Sequence, residues 1–273
     1  SVANAAREYD AGDTDGVIPI NGTQLGTGGT VTILGQAATV NSSTDTAWEV
    51  QVPASISDST YIGSIVLTRT TPADSRTDTW TTFRVLPRIQ LLSPSTGCVG
   101  SSTAVSGNHL CQSGTCPPAG NRATAADNVT FNSGVTVPDA DVSNWTHTLV
   151  PVTVPVGTTT GDVVVTSDTA YTTNGVTFTV DTNPPVQSNW SPAKGSTTTP
   201  SPTITFDLNK NGDCKWSLTD DAYSAMANDC TGDGTSSITC ATSGLSGGAE
   251  VVYVACRDTC GNEDTAGTNE DIN

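Results

Sequence analysis

Eight cysteines and two histidines are the side chains of this 273-residue chain best equipped for chemistry. Cys98, Cys111 and Cys116 lie in one stretch; Cys214, Cys230, Cys240, Cys256 and Cys260 lie in another. The segment "NHLCQSGTC" brings His109, Cys111 and Cys116 close enough to suggest zinc. Structural zinc takes four ligands from paired short spacings, and the fourth is missing. Cysteine-rich chains of this size belong to oxidising compartments, where such a pair closes a loop as a disulfide. A second candidate is "DLNKNGD", which copies the first half of a calcium loop with Asp207, Asn209, Asn211 and Asp213 around Gly212. Leu218 stands where the bidentate glutamate should be. The alternative is a polar turn between strands, for which Asn, Asp and Gly are the ordinary residues. Calcium is the one cofactor the sequence leaves open, and no other is expected.

Nucleophilic catalysis finds no support. No G-x-S-x-G precedes a helix, and His109 and His147 have no serine and aspartate arranged with them. The carboxylates are plentiful, but an acid–base pair needs a cleft that separates their pKa values, and a row of small domains rarely supplies one. The chain is therefore expected not to be an enzyme. Trp48, Trp80, Trp145, Trp190 and Trp216 could form a sugar-binding platform, although Trp216, two residues after Cys214, suits a core better. Asn21, Asn41, Asn128 and Asn144 head Asn-x-Ser/Thr triplets and are candidate glycosylation sites.

The elements that would position these groups are short strands. Apolar residues alternate at Val31 and Ile33, Val50 and Val52, Ile65 and Leu67, Val163 and Val165, Val176 to Val180, Ile204 and Phe206, and Val252 and Val254. Clusters of Gly, Pro, Asn, Asp and Ser separate them, as in β-sandwiches. Only "TDDAYSAMAND" (219–229) could wind a helical turn or two. Charged residues make up 14% of the chain, against the ~25% usual for soluble proteins. With 10 basic and 27 acidic side chains the net charge is −17. Such a surface repels nucleic acid and anionic lipid. No apolar run approaches the ~20 residues that cross a bilayer, so no direct membrane insertion is expected. Any signal peptide is expected to have been removed or to lie outside this stretch. The localisation expected is extracellular or cell-surface.

Self-comparison shows a repeat. The segment from Arg7 lies over that from Arg88, "GTVTILG" over "DNVTFNSG", "VQVPASISDSTYIGSIVLTRT" over "VTVPVGTTTGDVVVTSD", and "TTFRV" over "VTFTV". The unit of roughly 80–95 residues is close to the ~100 of an immunoglobulin-type sandwich. Residues 87–182 resemble the IPT/TIG family of immunoglobulin-like domains through Pro87, Ile89, Ser93, Pro94, Gly97, Gly100, Gly107, Leu110, Val129, Phe131, Pro155, Gly161, Val163, Val165, Phe178 and Val180. Residues 1–86 resemble it more loosely, with Asp13–Gly16 in the first turn. After the stiff Asn183-Pro184-Pro185 joint, residues 183–273 resemble the immunoglobulin-like domains of bacterial surface proteins, through "PTITFDLN", "CKWS" and "GGAEVVYVACRDTCGN". The fold expected is thus all-β, with three immunoglobulin-like sandwiches in tandem.

The resemblance implies that Cys214 and Cys256 pair on facing strands, across the two sheets. Cys111 should pair with Cys116, because a strand of ~7 residues carries them more than ~20 Å from Cys98. Cys230 should close a local loop with Cys240. Cys98 and Cys260 remain, and they would join the second domain to the third unless they bond between molecules. The third unit also ends without the long alternating strand that closes the first two, since "GNEDTAGTNEDIN" has Ile272 as its only large apolar residue. A missing strand leaves an unpaired edge that a second copy could fill, with "SVANAA" as donor, and a head-to-tail contact of that kind grows a fibre. The expected function is a non-catalytic extracellular structural protein, a subunit of a cell-surface filament or surface assembly that self-associates head to tail. The alternatives are an adhesin stalk and a carbohydrate-binding accessory module with glycan partners.

Overall fold

The computed structural model describes all residues except 1, 6, 7, 11–15, 58, 72–76, 113–115, 118–126, 169, 170, 196–200, 246–249, 268, 269 and 273. Arg7, Asp13 and much of the first turn lie outside the described residues. The chain is all-β, three immunoglobulin-like sandwiches in tandem. It divides into two compact units, Ser1–Val180 and Asp181–Asn273. The first unit holds two separate apolar cores, so the expected boundary at 86 falls inside it, and the one at 182 falls beside its end.

Residues 17–86 build the first core. Val17–Gly22 pairs with Ala47–Gln51, while Gly28–Ile33 pairs with Ile62–Thr71, which pairs in turn with Thr77–Leu86. The strand Gln36–Ser43 joins the two sets: Ala37 and Ala38 pair with Thr32 and Val31, and Thr39 and Val40 pair with Gln51 and Val50. Alternation places Ile18, Ile20, Val31, Ile33, Trp48, Val50, Ile65, Leu67, Phe83 and Val85 inside, as a strand's two-residue period requires. The amino-terminal stretch corrects one expectation. Val2–Ala5 pairs antiparallel with Val17–Gly22, and Glu8–Asp10 pairs parallel with Thr77–Leu86. The segment proposed as a free donor arm is therefore the first strand of its own sandwich.

The second sandwich repeats this split. Arg88–Ser93 pairs antiparallel with Ser102–Asn108, and Thr96–Gly97 then pairs parallel with Val176–Val180. By pairing partner, Val2–Ala5 corresponds to Arg88–Ser93 and Glu8–Asp10 to Thr96–Gly97. Laying Arg7 over Arg88 was thus out by half of a first strand that changes sheets. The repeat is legible in later strands because their alternation is unbroken, whereas a short split strand carries little periodicity.

The two cores follow each other without a linker. Phe83 and Val85 are buried in the first core, Pro87 is buried between them, and Ile89 is buried in the second. The odd-numbered residues face inward from Phe83 to Ile89, so one extended stretch serves both sandwiches. Arg84 faces the other way, with its guanidinium 3.8 Å from the centroid of the Tyr171 ring and 5.4 Å from that of Tyr61. Its Nη1 donates to Gln112 Oε1 at 2.9 Å. The buried Gln112 donates from Nε2 to Val85 O and His109 O, each at 3.1 Å, and its backbone N–H donates to Ser167 Oγ at 2.7 Å. Every polar group of Gln112 named here finds a partner, as burial demands.

In the second unit one long strand, Thr203–Ser217, does the work of two. Its first part pairs with Gln187–Ser191 and Thr235–Ala241; its second pairs with Asn228–Asp229 and Val252–Asp258, with a register shift between Asp207 and Gly212. The stretch 219–229 contains a single 3-10 turn, Tyr223–Ala225. The expectation of a missing last strand is also corrected. Glu270–Ile272 pairs antiparallel with Val252–Val254. Farther along the same edge, Asp264 N–H donates to Cys256 O and Asp258 N–H to Asn262 O, while Asp264 Oδ2 accepts from Cys256 N–H. The chain's own residues satisfy the backbone groups that a donated strand would have used.

Candidate functional site

Four of the five cysteines of the second unit form one rung across neighbouring stretches of the sheet. Cys214 is in register with Cys256 on one side and, from the neighbouring pairs Lys215–Asp229 and Trp216–Asn228, with Cys230 on the other. The bridge between Thr231 and Thr239 puts Cys230 opposite Cys240. Antiparallel pairs alternate between a narrow separation of ~4.5 Å and a wide one of ~5.5 Å. Cys214 and Cys256 have Cα atoms 4.1 Å apart, and Cys230 and Cys240 4.2 Å apart, so both are narrow pairs, and both are bonded through sulfur. Cys230 N–H donates to Cys214 O at 3.0 Å, which marks the wide pair. Register thus selects the partners. The bond between Cys214 and Cys256 joins neighbouring strands of one sheet, not facing sheets as the sequence reading had it.

Cys111 and Cys116 are bonded to each other, with Cα atoms 5.5 Å apart. Zinc is therefore not their chemistry, and the histidine beside them is His147, whose Nδ1 lies 3.0 Å from Cys111 O. Among the described residues no cysteine is free. Cys98 O accepts from Ser101 in a tight turn of the first unit, and Cys260 N–H donates to Asp258 Oδ1 in the second.

The calcium candidate comes apart in the fold. Asp207, Asn209, Asn211 and Asp213 occupy alternate positions of one extended strand. With a rise of ~3.3 Å per residue, the outer two stand about 20 Å apart at full extension. An ion needs ligands that curl around it. Asp207 instead accepts from Asn189 Nδ2 at 3.0 Å and Ser237 Oγ at 3.2 Å, while Asn209 exchanges backbone and side-chain bonds with Val186.

A group the sequence did not flag sits near residue 258. Asp258 is almost wholly buried, its side chain 1% exposed. Its Oδ1 accepts from the N–H groups of Cys260 and Asn262, and its Oδ2 from Asn262 Nδ2 at 3.0 Å and Lys210 Nζ at 2.9 Å. Lys210 Nζ also donates to Asp181 Oδ2 at 2.7 Å and to Asn183 O. Burial alone would raise the Asp258 carboxyl, but the bonds from Lys210 and Asn262 outweigh it and hold it below its ordinary value. Burial likewise would lower Lys210, and its bonds to Asp181 and Asp258 raise it instead. The ammonium stands between the two carboxylates that could otherwise have held a metal.

Beside this clamp opens a cavity of about 320 Å³, lined by Gly212, Asp213, Gly234, Arg257 and Thr259 among others. Asp213 Oδ2 accepts from the Tyr223 hydroxyl and lies 4.0 Å from Arg257 Nη2, while Oδ1 is buried with no hydrogen-bond partner. Lys215 and Arg257 stand 4.8 and 4.5 Å from the centroid of the buried Tyr223 ring. Burial first, then the bond to Asp213, raises the tyrosine pKa. The charge of Asp213 raises Asp233.

The tryptophans do not make a platform among the described side chains. Trp48, Trp145 and Trp216 are buried in cores, with the first two donating to Gly26 O and Leu110 O. Trp190 is half-buried and stacks on Phe206, centroids 4.2 Å apart. The Trp80 side chain lies outside the description. Asn21, Asn41 and Asn144 are exposed, and Asn128 is half-buried with its Oδ1 accepting from Thr130 Oγ1.

No family model matches this chain, and no curated protein is significantly similar to it in sequence. Similar solved structures include one with a xylogluco-oligosaccharide, at TM-score 0.49 and 16% identity over 99% of this chain and 59% of that one. The surface glycan-binding protein PbSGBP-B of Prevotella bryantii gives 0.36 and 18%, over 68% and 43%. The extracellular region of plexin A4 gives 0.32 and 11%, over 100% and 33%. The chain therefore spans less than two thirds of each of these structures. Scores this low carry no ligand or activity over to it. No helix among the described residues is long and apolar enough to cross a membrane, which says nothing of β-barrels.

Proposed function

We propose that this chain is a non-catalytic extracellular structural protein, part of a cell-surface filament or surface assembly, whose first two sandwiches are of the IPT/TIG kind. The observation that carries the reading is the linkerless joint at Pro87, where Arg84 and Gln112 tie one sandwich to the next. Three disulfides support an oxidising, extracellular setting. Self-association in this reading uses a face, since the strand edge is already covered. On the outer face of the three-stranded sheet, Leu91 and Leu149, 55% and 37% exposed, flank Ser106 in one row, with Ala104 and Pro151 in the next. The side chains of these two rows are uncharged in a chain of net charge −17, so two copies can meet there without like-charge repulsion. Electron microscopy of the native protein and sedimentation of the recombinant chain test this. Ordered fibres or concentration-dependent association support it, and a monomer at high concentration sinks it.

A carbohydrate-binding accessory role is the second reading, favoured by the polar cavity beside Asp213. The names of two similar structures point the same way without adding weight. A glycan array separates the two readings.

A further inference from the structure

We propose that the Cys111–Cys116 bond is a thiol-reducible latch on the joint between the first two sandwiches, a role that lies beyond either reading above. Burial sets it apart from the two bonds of the rung. Cys214, Cys240 and Cys256 are wholly buried and Cys230 is 4% exposed, so a thiol reaches those sulfurs only once their sandwich opens. Cys111 is wholly buried too, but its partner Cys116 is only half-buried, at the margin of the second core. Partly exposed disulfides are the ones that exchange with thiols. His147 supplies a second element, with a ring nitrogen within 4.8 Å of both sulfurs. Its Nδ1 stands 3.0 Å from Cys111 O. A carbonyl only accepts, so Nδ1 carries a proton and that bond fixes the ring beside the sulfurs. A second proton on the ring places a positive charge there, which stabilises a thiolate.

The co-reactant is a low-molecular-weight thiol of the glutathione class. Its thiolate attacks Cys116 Sγ and bonds to it, the Cys116–Cys111 bond breaks, and the electron pair leaves on Cys111 Sγ, which takes a proton from the His147 imidazolium. A second thiol gives its proton to Cys116 and displaces the first. Two external thiols are thereby oxidised to one disulfide, and the chain's own bond is reduced to two thiols. Position gives the bond its effect. Gln112 lies inside the ring that the bond closes, one residue after Cys111. It is also the residue that ties the sandwiches, donating from Nε2 to Val85 O and accepting from Arg84 Nη1. Opening the ring frees residues 111–116 to sample more conformations, and Gln112 loses the fixed backbone on which both bonds depend. The strands on either side, Ser102–Asn108 and Asn128–Phe131, keep their own pairings, so the joint loosens while the core stays closed.

The test exposes the full folded chain to a graded series of reduced glutathione, blocks free thiols with iodoacetamide and maps them by mass spectrometry. Cys111 and Cys116 should be labelled at about a tenfold lower thiol concentration than Cys214, Cys230, Cys240 and Cys256. His147→Gln, which keeps a donor for Cys111 O, should slow that reduction about tenfold and leave the melting curve in place. The double variant Cys111→Ser, Cys116→Ser gives the open ring without reductant. In it the Gln112 backbone N–H should exchange with solvent about tenfold faster while those of Val105, Val129 and Val163 hold. Residual dipolar couplings of the first two sandwiches should fit one alignment frame in the parent and no longer do so in the double variant. Opening of all three bonds at one thiol concentration overturns the latch. So does a double variant whose Gln112 exchange and couplings match those of the parent. Unchanged reduction in His147→Gln overturns the part given to the imidazole.

Discussion

The second and third sandwiches solve the same problem by different means. Among the described residues, sixteen buried side chains, mostly valine with Phe131 and Phe178 edge to face, fill the core of the second. The third has eleven in its main core, and four of them are the half-cystines of one rung. Small cores bury too little apolar surface to offset chain entropy, and cross-links restrict the unfolded chain instead. The third sandwich replaces part of its apolar core by two such bonds, whereas in the second the Cys111–Cys116 bond supplies a single half-cystine, Cys111, among sixteen core side chains.

Removing both bonds of the rung should have the largest effect. Cys214 and Cys256 are 42 residues apart in sequence, and Cys230 and Cys240 are 10 residues apart. For loops of these lengths the chain-entropy model gives about 4 kcal/mol for the longer and about 3 kcal/mol for the shorter. Heating the full chain with and without reductant, followed by limited proteolysis, should show the region 203–258 cleaved first while 89–180 stays protected. Equal loss of protection in both regions would break the comparison.

Phe178→Ala is the counterpart in the second sandwich. Loss of the ring and the cavity left behind should cost about 3–5 kcal/mol, whether or not the disulfides are reduced. Hydrogen exchange should report it across Val129, Val163 and Val165 and leave the third sandwich unchanged.

Lys210→Met sharpens the contrast within the second unit. It leaves Asp258 buried without its cation, which should cost about 1–3 kcal/mol, moderated by solvent screening because Lys210 is itself a quarter exposed. The pH dependence follows from the two signs. The folded Asp258 pKa is lowered, so its contribution is present above the unfolded value of ~3.9 and is lost as pH falls through the folded one. The folded Lys210 pKa is raised, so its contribution is present below ~10.4 and is lost as pH rises through the folded one. Melting of the third sandwich in parent and variant should converge at both extremes and differ most between them.

Leu91→Lys should be the smallest change in stability, within about 0.5 kcal/mol as for an exposed site. Its effect should fall on association: sedimentation should show the complex lost while the melting curves overlay.

The fold class was legible because alternate apolar residues leave little choice. Phe83 and Val85, or Val163 and Val165, can only face a core if the chain is extended. What stayed hidden depends on register, which a sequence does not display. Cys214 and Cys256 read as facing across sheets because their spacing fits that arrangement as well as the neighbouring one, and only the pairing of Lys215 with Ala255 and Asp213 with Arg257 decides. "DLNKNGD" read as a loop because strands and loops share those polar residues, and the long strand that carries it is apolar only on its even-numbered face. Asp258 looked like any surface acid until Lys210, 48 residues earlier, met it.

The inward row that runs from Phe83 through Val85 and Pro87 to Ile89 also limits how such a gene can change. Deleting or inserting one codon between Val85 and Ile89 would turn every downstream side chain of that strand over, sending Ile89 and Leu92 to solvent and Arg88 inward. Losses and gains in steps of two keep the parity, so indels at this seam should survive in even numbers or not at all. The absence of a linker is thus a reading frame of its own, written in geometry and counted in residues rather than nucleotides.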